Sequence, residues 1–148
     1  MTISDYHFYH GAALSLIVSR GEFTGLARIK DAGSAAFAVN HDIAVYVKHA
    51  TNSSSPWQFN FHPEHQEAIR NLFNKYKEKT FIALVCGKVG VCLLEYGEYA
   101  AVIDENFKEQ EGLYVEKPEG GGFRVQGGSG KLNKVMPLNR FPIYIFEK

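Results

Sequence analysis

The run Ile43-Ala44-Val45-Tyr46-Val47-Lys48 constrains the fold more than any other part of this chain. Residues two apart share a face of a strand, so Ile43, Val45 and Val47 point one way and Ala44, Tyr46 and Lys48 the other. The pleat therefore puts Lys48 on the polar or cleft-facing side. A polar turn, Asn52-Ser53-Ser54-Ser55-Pro56, leads to Trp57-Gln58-Phe59-Asn60-Phe61, a second alternating strand with aromatics on one side. Pro63 suits the first turn of a helix, and Ala68, Ile69, Leu72, Phe73 and Tyr76 recur behind it at helical spacing.

Other elements follow from the same periodicities. Ser4 or Asp5 can cap a first helix whose inward stripe reads Tyr6, Tyr9, Ala13, Leu16 and Ile17, with Gly21 ending it. Residues 22–34 are irregular, and Ala35 to Val39 turns through Asn40-His41-Asp42 into the Ile43 strand. The sequence thus predicts a three-stranded meander ending at Phe61. Phe81 to Cys86 is continuously apolar, as a strand covered on both faces would be, and Gly87 to Gly90 turns it into Val91-Cys92-Leu93-Leu94. Gly97 to Phe107 suggests a short helix with Tyr99, Val102 and Ile103 inward. Beyond Leu113, short β-like pieces separated by glycine runs predict hairpins, and Phe141, Ile143, Tyr144 and Phe146 suit a tail that docks on the core. The expected fold is α+β, one domain over 1–148, with a mixed, mainly antiparallel sheet flanked by helices and a hairpin-rich C-terminal part.

Composition removes some functions. With 16 basic and 16 acidic residues the formal net charge is zero, so any affinity for nucleic acid must come from a local basic face. Cys86 and Cys92 read as buried reduced thiols, since no secretory segment precedes them, and no window is apolar enough to span a bilayer. A cytoplasmic protein without cofactor or bound metal is expected.

Chemical motifs are sparse. Gly127-Gly128-Ser129-Gly130-Lys131-Leu132 departs from a phosphate loop because Val125 stands at the leading glycine and Leu132 replaces the magnesium-binding hydroxyl. It reads as a hairpin turn. His62-Pro63-Glu64-His65 lacks the spacing of a zinc site, and His7 with His10 forms no more than a local pair. The acidic stretch Asp104, Glu105, Glu109 and Glu111 reads as a solvated face. Arg124, Lys131, Lys134 and Arg140 lie among hairpins with Phe123, a mixture of basic and aromatic residues that can serve nucleic-acid binding.

The segments His10-Gly11-Ala12-Ala13-Leu14, Tyr46-Val47-Lys48, Ser55 to Phe61 with Pro63 to Gln66, Phe81 to Gly87, and Gly130-Lys131-Leu132 with Phe141-Pro142 resemble an uncharacterised family of small bacterial proteins. That resemblance implies a bacterial origin and no activity. The order helix, three strands, helix, strand is similar to the core of restriction-endonuclease-like nucleases, in which an acid on one strand and an acid-x-Lys triplet on the next hold a divalent metal and activate water. Lys48 matches the triplet's lysine. Tyr46 stands where its acid would be, Asp42 lies in the preceding turn, and the first helix offers His10.

The reading that results is a non-catalytic binding protein that contacts nucleic acid or a protein partner through Lys48, Arg124, Lys131 and Lys134. One alternative is a metal-dependent nuclease with a migrated acidic site using Asp42 and Lys48. Another is a small-ligand pocket lined by Tyr46, Trp57 and His10.

Overall fold

The computed structural model describes residues 1–104 and 108–148. Among the described residues a five-stranded sheet has the spatial order β1 (Leu26–Arg28), β2 (Ala36–Val39), β3 (Ile43–Ala50), β5 (Thr80–Cys86) and β6 (Gly90–Glu95). Neighbours pair antiparallel except β3 and β5, which run parallel because α2 (Pro63–Tyr76) carries the chain back across the sheet between them. A second, antiparallel sheet contains β4 (Trp57–Phe61), β7 (Glu111–Glu116), β8 (Arg124–Gly127) and β9 (Gly130–Lys131). The fold is α+β, with a mixed sheet and a hairpin-rich C-terminal part, as the sequence indicates.

Both faces of the first sheet are covered. Val39, Ile43, Val45, Val47, Phe81, Ala83 and Leu93 face α1 (Asp5–Val18) and the C-terminal tail, where Phe141 and Ile145 dock. Ala44, Tyr46, Ile82, Leu84, Cys86 and Leu94 face α2, α3 (Tyr96–Val102) and the second sheet, which contributes Trp57, Phe59, Phe61, Leu113 and Val125. Each of these large side chains contributes about 1.5–3 kcal/mol by leaving water, and together they fix the register of β3, because a slip by one residue would exchange its faces.

The helices start alike. In α1 the backbone N–H of Ser4 donates to His7 Nδ1 at 3.0 Å, in α2 that of His62 donates to His65 Nδ1 at 3.2 Å, and in α3 that of Glu95 donates to Glu98 Oε1 at 2.8 Å. A side chain three residues in thus satisfies the donor that the first turn leaves free.

Several sequence expectations are corrected. The meander is β1, β2 and β3, since the irregular-looking segment 22–34 contains β1, while Trp57–Phe61 lies in the second sheet. The edge of β3 that β4 would have taken is occupied by the fully buried β5, and the β4 aromatics pack across the layers instead. In α1 the inward residues are His10, Ala13 and Ile17, whereas Tyr6 and Leu16 are exposed. The helix is apolar on every side, so periodicity could not choose its face. The short helix predicted for 97–107 runs from Tyr96 to Val102, and residues 105–107 lie outside the described residues.

Candidate functional site

Strand β3 ends among most of the chain's histidines. Tyr46 and Lys48 project from its even face, as the alternation requires, but that face is not open to solvent: α2 and β4 cover it. Lys48 is half-buried. Its Nζ donates to the Asn60 carbonyl at 2.6 Å, lies 3.3 Å from His65 Nδ1, and stands 5.0 Å above the Phe61 ring. His65 Nδ1 already accepts the His62 N–H, so the imidazole proton belongs on Nε2 and the ammonium is a second donor to Nδ1. No carboxylate forms an ion pair with Lys48 among the described residues. Burial pushes its pKa down to about 8, with Glu64 pulling the other way.

Beside this cluster is a cavity of about 390 Å³ lined by residues 31–35, Tyr46, Glu64, His65 and Ala68. The α2 start supplies Glu64 and His65, and β3 supplies Tyr46. Tyr46 is only 2% exposed, and its hydroxyl has no protein hydrogen-bond partner among the described residues. Burial, then the nearby Glu64 carboxylate, pushes the phenol up to about 12, so it stays protonated and can donate. A buried polar group usually has a partner. Here it faces the cavity.

On the opposite face of β3, His49 Nδ1 lies 3.3 Å from His10 Nε2, and Tyr9 stacks on His49 with ring centroids 5.1 Å apart. His10 Nδ1 is buried without a partner. Burial, and then His49, Lys48 and His7, push the His10 pKa down to about 4. Lys48 and His10 therefore approach one another at the end of β3 but serve different faces of the sheet.

The remaining sequence candidates scatter. Trp57 is a core residue, its indole N–H donating to the Asn52 carbonyl at 2.9 Å, so it does not line a pocket with Tyr46 and His10. Arg124 and Lys131 lie on the outer face of the second sheet, in a groove with Tyr114, Glu116 and Gln126. Lys134 instead pairs with Glu98 at 2.6 Å, beside a cavity that also exposes Glu78 and Glu95. Arg140 is bound by Glu98 at 2.9 Å and Glu95 at 3.2 Å, with a further hydrogen bond to the Leu93 carbonyl, and anchors the tail rather than a ligand. Asp42 pairs with Lys79 at 2.7 Å at the other end of β3, about 20 Å from Lys48 along an extended strand. The Gly127–Gly130 segment is the β8–β9 turn, and Ser129 N–H donates to the Val102 carbonyl.

Among the described residues, no three His, Cys, Asp or Glu side chains converge so as to hold a metal ion, and no helix is long and apolar enough to cross a membrane. Cys86 and Cys92 are free and buried, and burial raises both thiols. Sequence reasoning missed Glu64, His65 and the 31–35 loop as pocket residues. The available signal was the even face of β3 itself, since whatever follows β4 back over that face must meet Tyr46. Compared with protein-family models, curated proteins and solved structures, the chain matches none.

Proposed function

We propose that this chain is a non-catalytic binding protein whose ligand is a small, polar, hydroxyl- or amine-bearing molecule held in the Tyr46 cavity. The observation that carries the reading is the Tyr46 hydroxyl, which is protonated, has no protein hydrogen-bond partner among the described residues, and stands at the wall of a cavity of ligand size. Asp31 and Glu64 supply acceptors at the wall, and His65, oriented by its Nδ1 bonds, is available through Nε2. Lys48 stands behind His65, fixing the ring and biasing the site's potential. Native mass spectrometry of purified protein, followed by titration calorimetry with sugars, amines and nucleosides, tests the reading. Binding that Tyr46→Phe weakens at least tenfold supports it, and binding unchanged in Tyr46→Phe refutes it.

A second reading keeps a nucleic-acid partner, on the exposed Tyr114 ring set between Arg124 and Lys131. Here a single-stranded oligonucleotide should bind with an affinity that falls with salt and is lost in Tyr114→Ala.

A further inference from the structure

The Tyr46 cavity continues past Ala68. A second cavity of about 130 Å³ lies against the same helix, among Ile29, Leu72 and Tyr76, and the two share Asp31, Ala32 and Ala68 in their walls. On α2 the lining residues Glu64, Ala68, Leu72 and Tyr76 are four apart, one stripe running lengthwise along the helix. The stretch from Ile29 to Ala35 forms the facing wall. Where the cavities adjoin, each wall contributes an alanine, Ala32 on one side and Ala68 on the other, so small side chains keep a single groove open.

The two ends of the groove differ in chemistry. Around Tyr46, the carboxylates of Asp31 and Glu64 form no ion pair among the described residues. Lys48 feels the Glu64 charge but lines neither cavity, its Nζ being turned to the Asn60 carbonyl and His65. Beyond the alanines the wall is Ile29, Leu72 and the Tyr76 ring, with Asn71 and Lys75 beside it, the Lys75 Nζ 5.4 Å from the centroid of that ring.

We propose, in an inference that rests on the Tyr46 cavity being the ligand site, that the ligand is a primary amine carrying an apolar body. Its ammonium sits among the Asp31 and Glu64 carboxylates and the Tyr46 oxygen, which accept its protons. Its apolar part passes between Ala32 and Ala68 and lies on Ile29, Leu72 and Tyr76, as a mostly apolar pocket with a few polar anchors favours. His65 and Leu72 are about 10 Å apart along the helix, the reach of a chain of roughly six to eight carbons. A carboxylate or phosphate ligand would meet like charge at the head, and a wholly polar one would leave the apolar half of the groove unused.

Titration calorimetry at pH 7 with butylamine, octylamine and octan-1-ol tests this. Octylamine should bind at least tenfold more tightly than either of the others. The double variant Asp31→Asn, Glu64→Gln should remove the advantage of the amine over the alcohol. Ala68→Leu, which obstructs the groove between its halves, should remove the advantage of octylamine over butylamine, and Ala32→Leu obstructs it from the facing wall should Ala68→Leu fail to fold. Equal affinities for octylamine and octan-1-ol, both weakened by Tyr46→Phe, would overturn the amine and leave the Tyr46 cavity standing as a ligand site. An octylamine affinity indifferent to both leucine variants would overturn the proposal, as would the absence of octylamine binding, whether or not sugars or nucleosides bind through Tyr46. Octylamine binding that Tyr46→Phe leaves unchanged would overturn both the proposal and the ligand site on which it rests.

Discussion

Lys48 costs this fold stability, and replacing it with methionine should make the protein more stable. Methionine keeps the length of the stem and its packing on Phe61 while removing a half-buried charge that no carboxylate compensates. The fall from the usual 10.5 to about 8, converted at about 1.4 kcal/mol per pH unit, sets an upper limit of roughly 3 kcal/mol. Solvent reaches part of the side chain, and screening together with the lost bond to the Asn60 carbonyl reduces the net gain to about 1–2 kcal/mol. That corresponds to a melting temperature roughly 3–6 °C higher for Lys48→Met at pH 7. The sign with pH is fixed by proton counting. Between about 8 and 10.5 the unfolded chain holds a proton on Lys48 that the native state has lost, so wild-type stability rises with pH through that window. The cost is fully present below it. The advantage of Lys48→Met should therefore fall to less than about half by pH 9.5. Urea denaturation of both proteins at pH 7 and 9.5 provides the measurement. Equal stabilities at pH 7, or a difference that does not change with pH, would refute the reasoning.

Arg140→Met leaves Glu95 and Glu98 without their shared cation in a site where the arginine side chain is 10% exposed, and should cost about 3 kcal/mol, roughly 10 °C in melting temperature; Asp42→Asn, which breaks an exposed pair with Lys79, should stay within about 0.5 kcal/mol of wild type by the same assay. Burial pushes the Glu98 carboxyl up, but hydrogen bonds from Lys134, the Glu95 N–H and Arg140 outweigh it and hold its pKa below the ordinary range, so Glu98 stabilises the fold above its unfolded pKa and stops doing so as pH falls through the folded one. Gly127→Ala would place a methyl 2.3 Å from the Val102 carbonyl oxygen and should cost about 2 kcal/mol, read as a lower urea midpoint. His10 is protonated in the unfolded chain before it is in the native one, so stability falls as pH drops from 6.5 towards 4, and His10→Leu should flatten that part of the melting-temperature profile.

What could be read in the sequence was what alternation and capping encode locally. Val45 and Val47 against Tyr46 and Lys48, the Pro63 helix start, the buried Phe81–Cys86 strand and the β7–β8 and β8–β9 hairpins stand where local pattern put them, although the last of these strands ends at Lys131 and Met136 makes only an isolated bridge. The partner of β4 was not encoded locally: Trp57, Phe59 and Phe61 look the same whether they pair with β3 or with β7. The inward face of α1 was equally silent, because its apolar residues run all the way round and its few polar ones, His10 among them, do not mark the outside. The candidate site was legible as two residues, Tyr46 and Lys48, and illegible as a cavity, since its other wall comes from residues 31–35 and from α2, brought there by tertiary packing. Charge on the C-terminal hairpins misled for a related reason. Arg140 and Lys134 look free in the sequence, but Glu95 and Glu98 at the start of α3 hold both.

The even face of β3 makes the functional argument in energetic terms. Ala44, Tyr46 and Lys48 succeed one another there under cover of α2 and β4, so the face turns from apolar to polar towards the end of the strand. Phenylalanine at 46 would fill the same space and remove a hydroxyl with no protein hydrogen-bond partner among the described residues; methionine at 48 would remove an ammonium that forms no ion pair with a carboxylate among them. The two polar groups differ: Lys48 Nζ donates to the Asn60 carbonyl at 2.6 Å, whereas the Tyr46 hydroxyl has no protein hydrogen-bond partner among the described residues and lies at the cavity, the observation on which the proposed ligand site rests. Structural polar residues in this protein look different. Arg140 and Glu98 are enclosed and bonded to each other, Arg140 Nη1 donating to Glu98 Oε1 at 2.9 Å, while Gln66 donates through Nε2 to the Phe61 and Glu109 carbonyls at 2.8 Å and leaves its Oε1 buried without a partner.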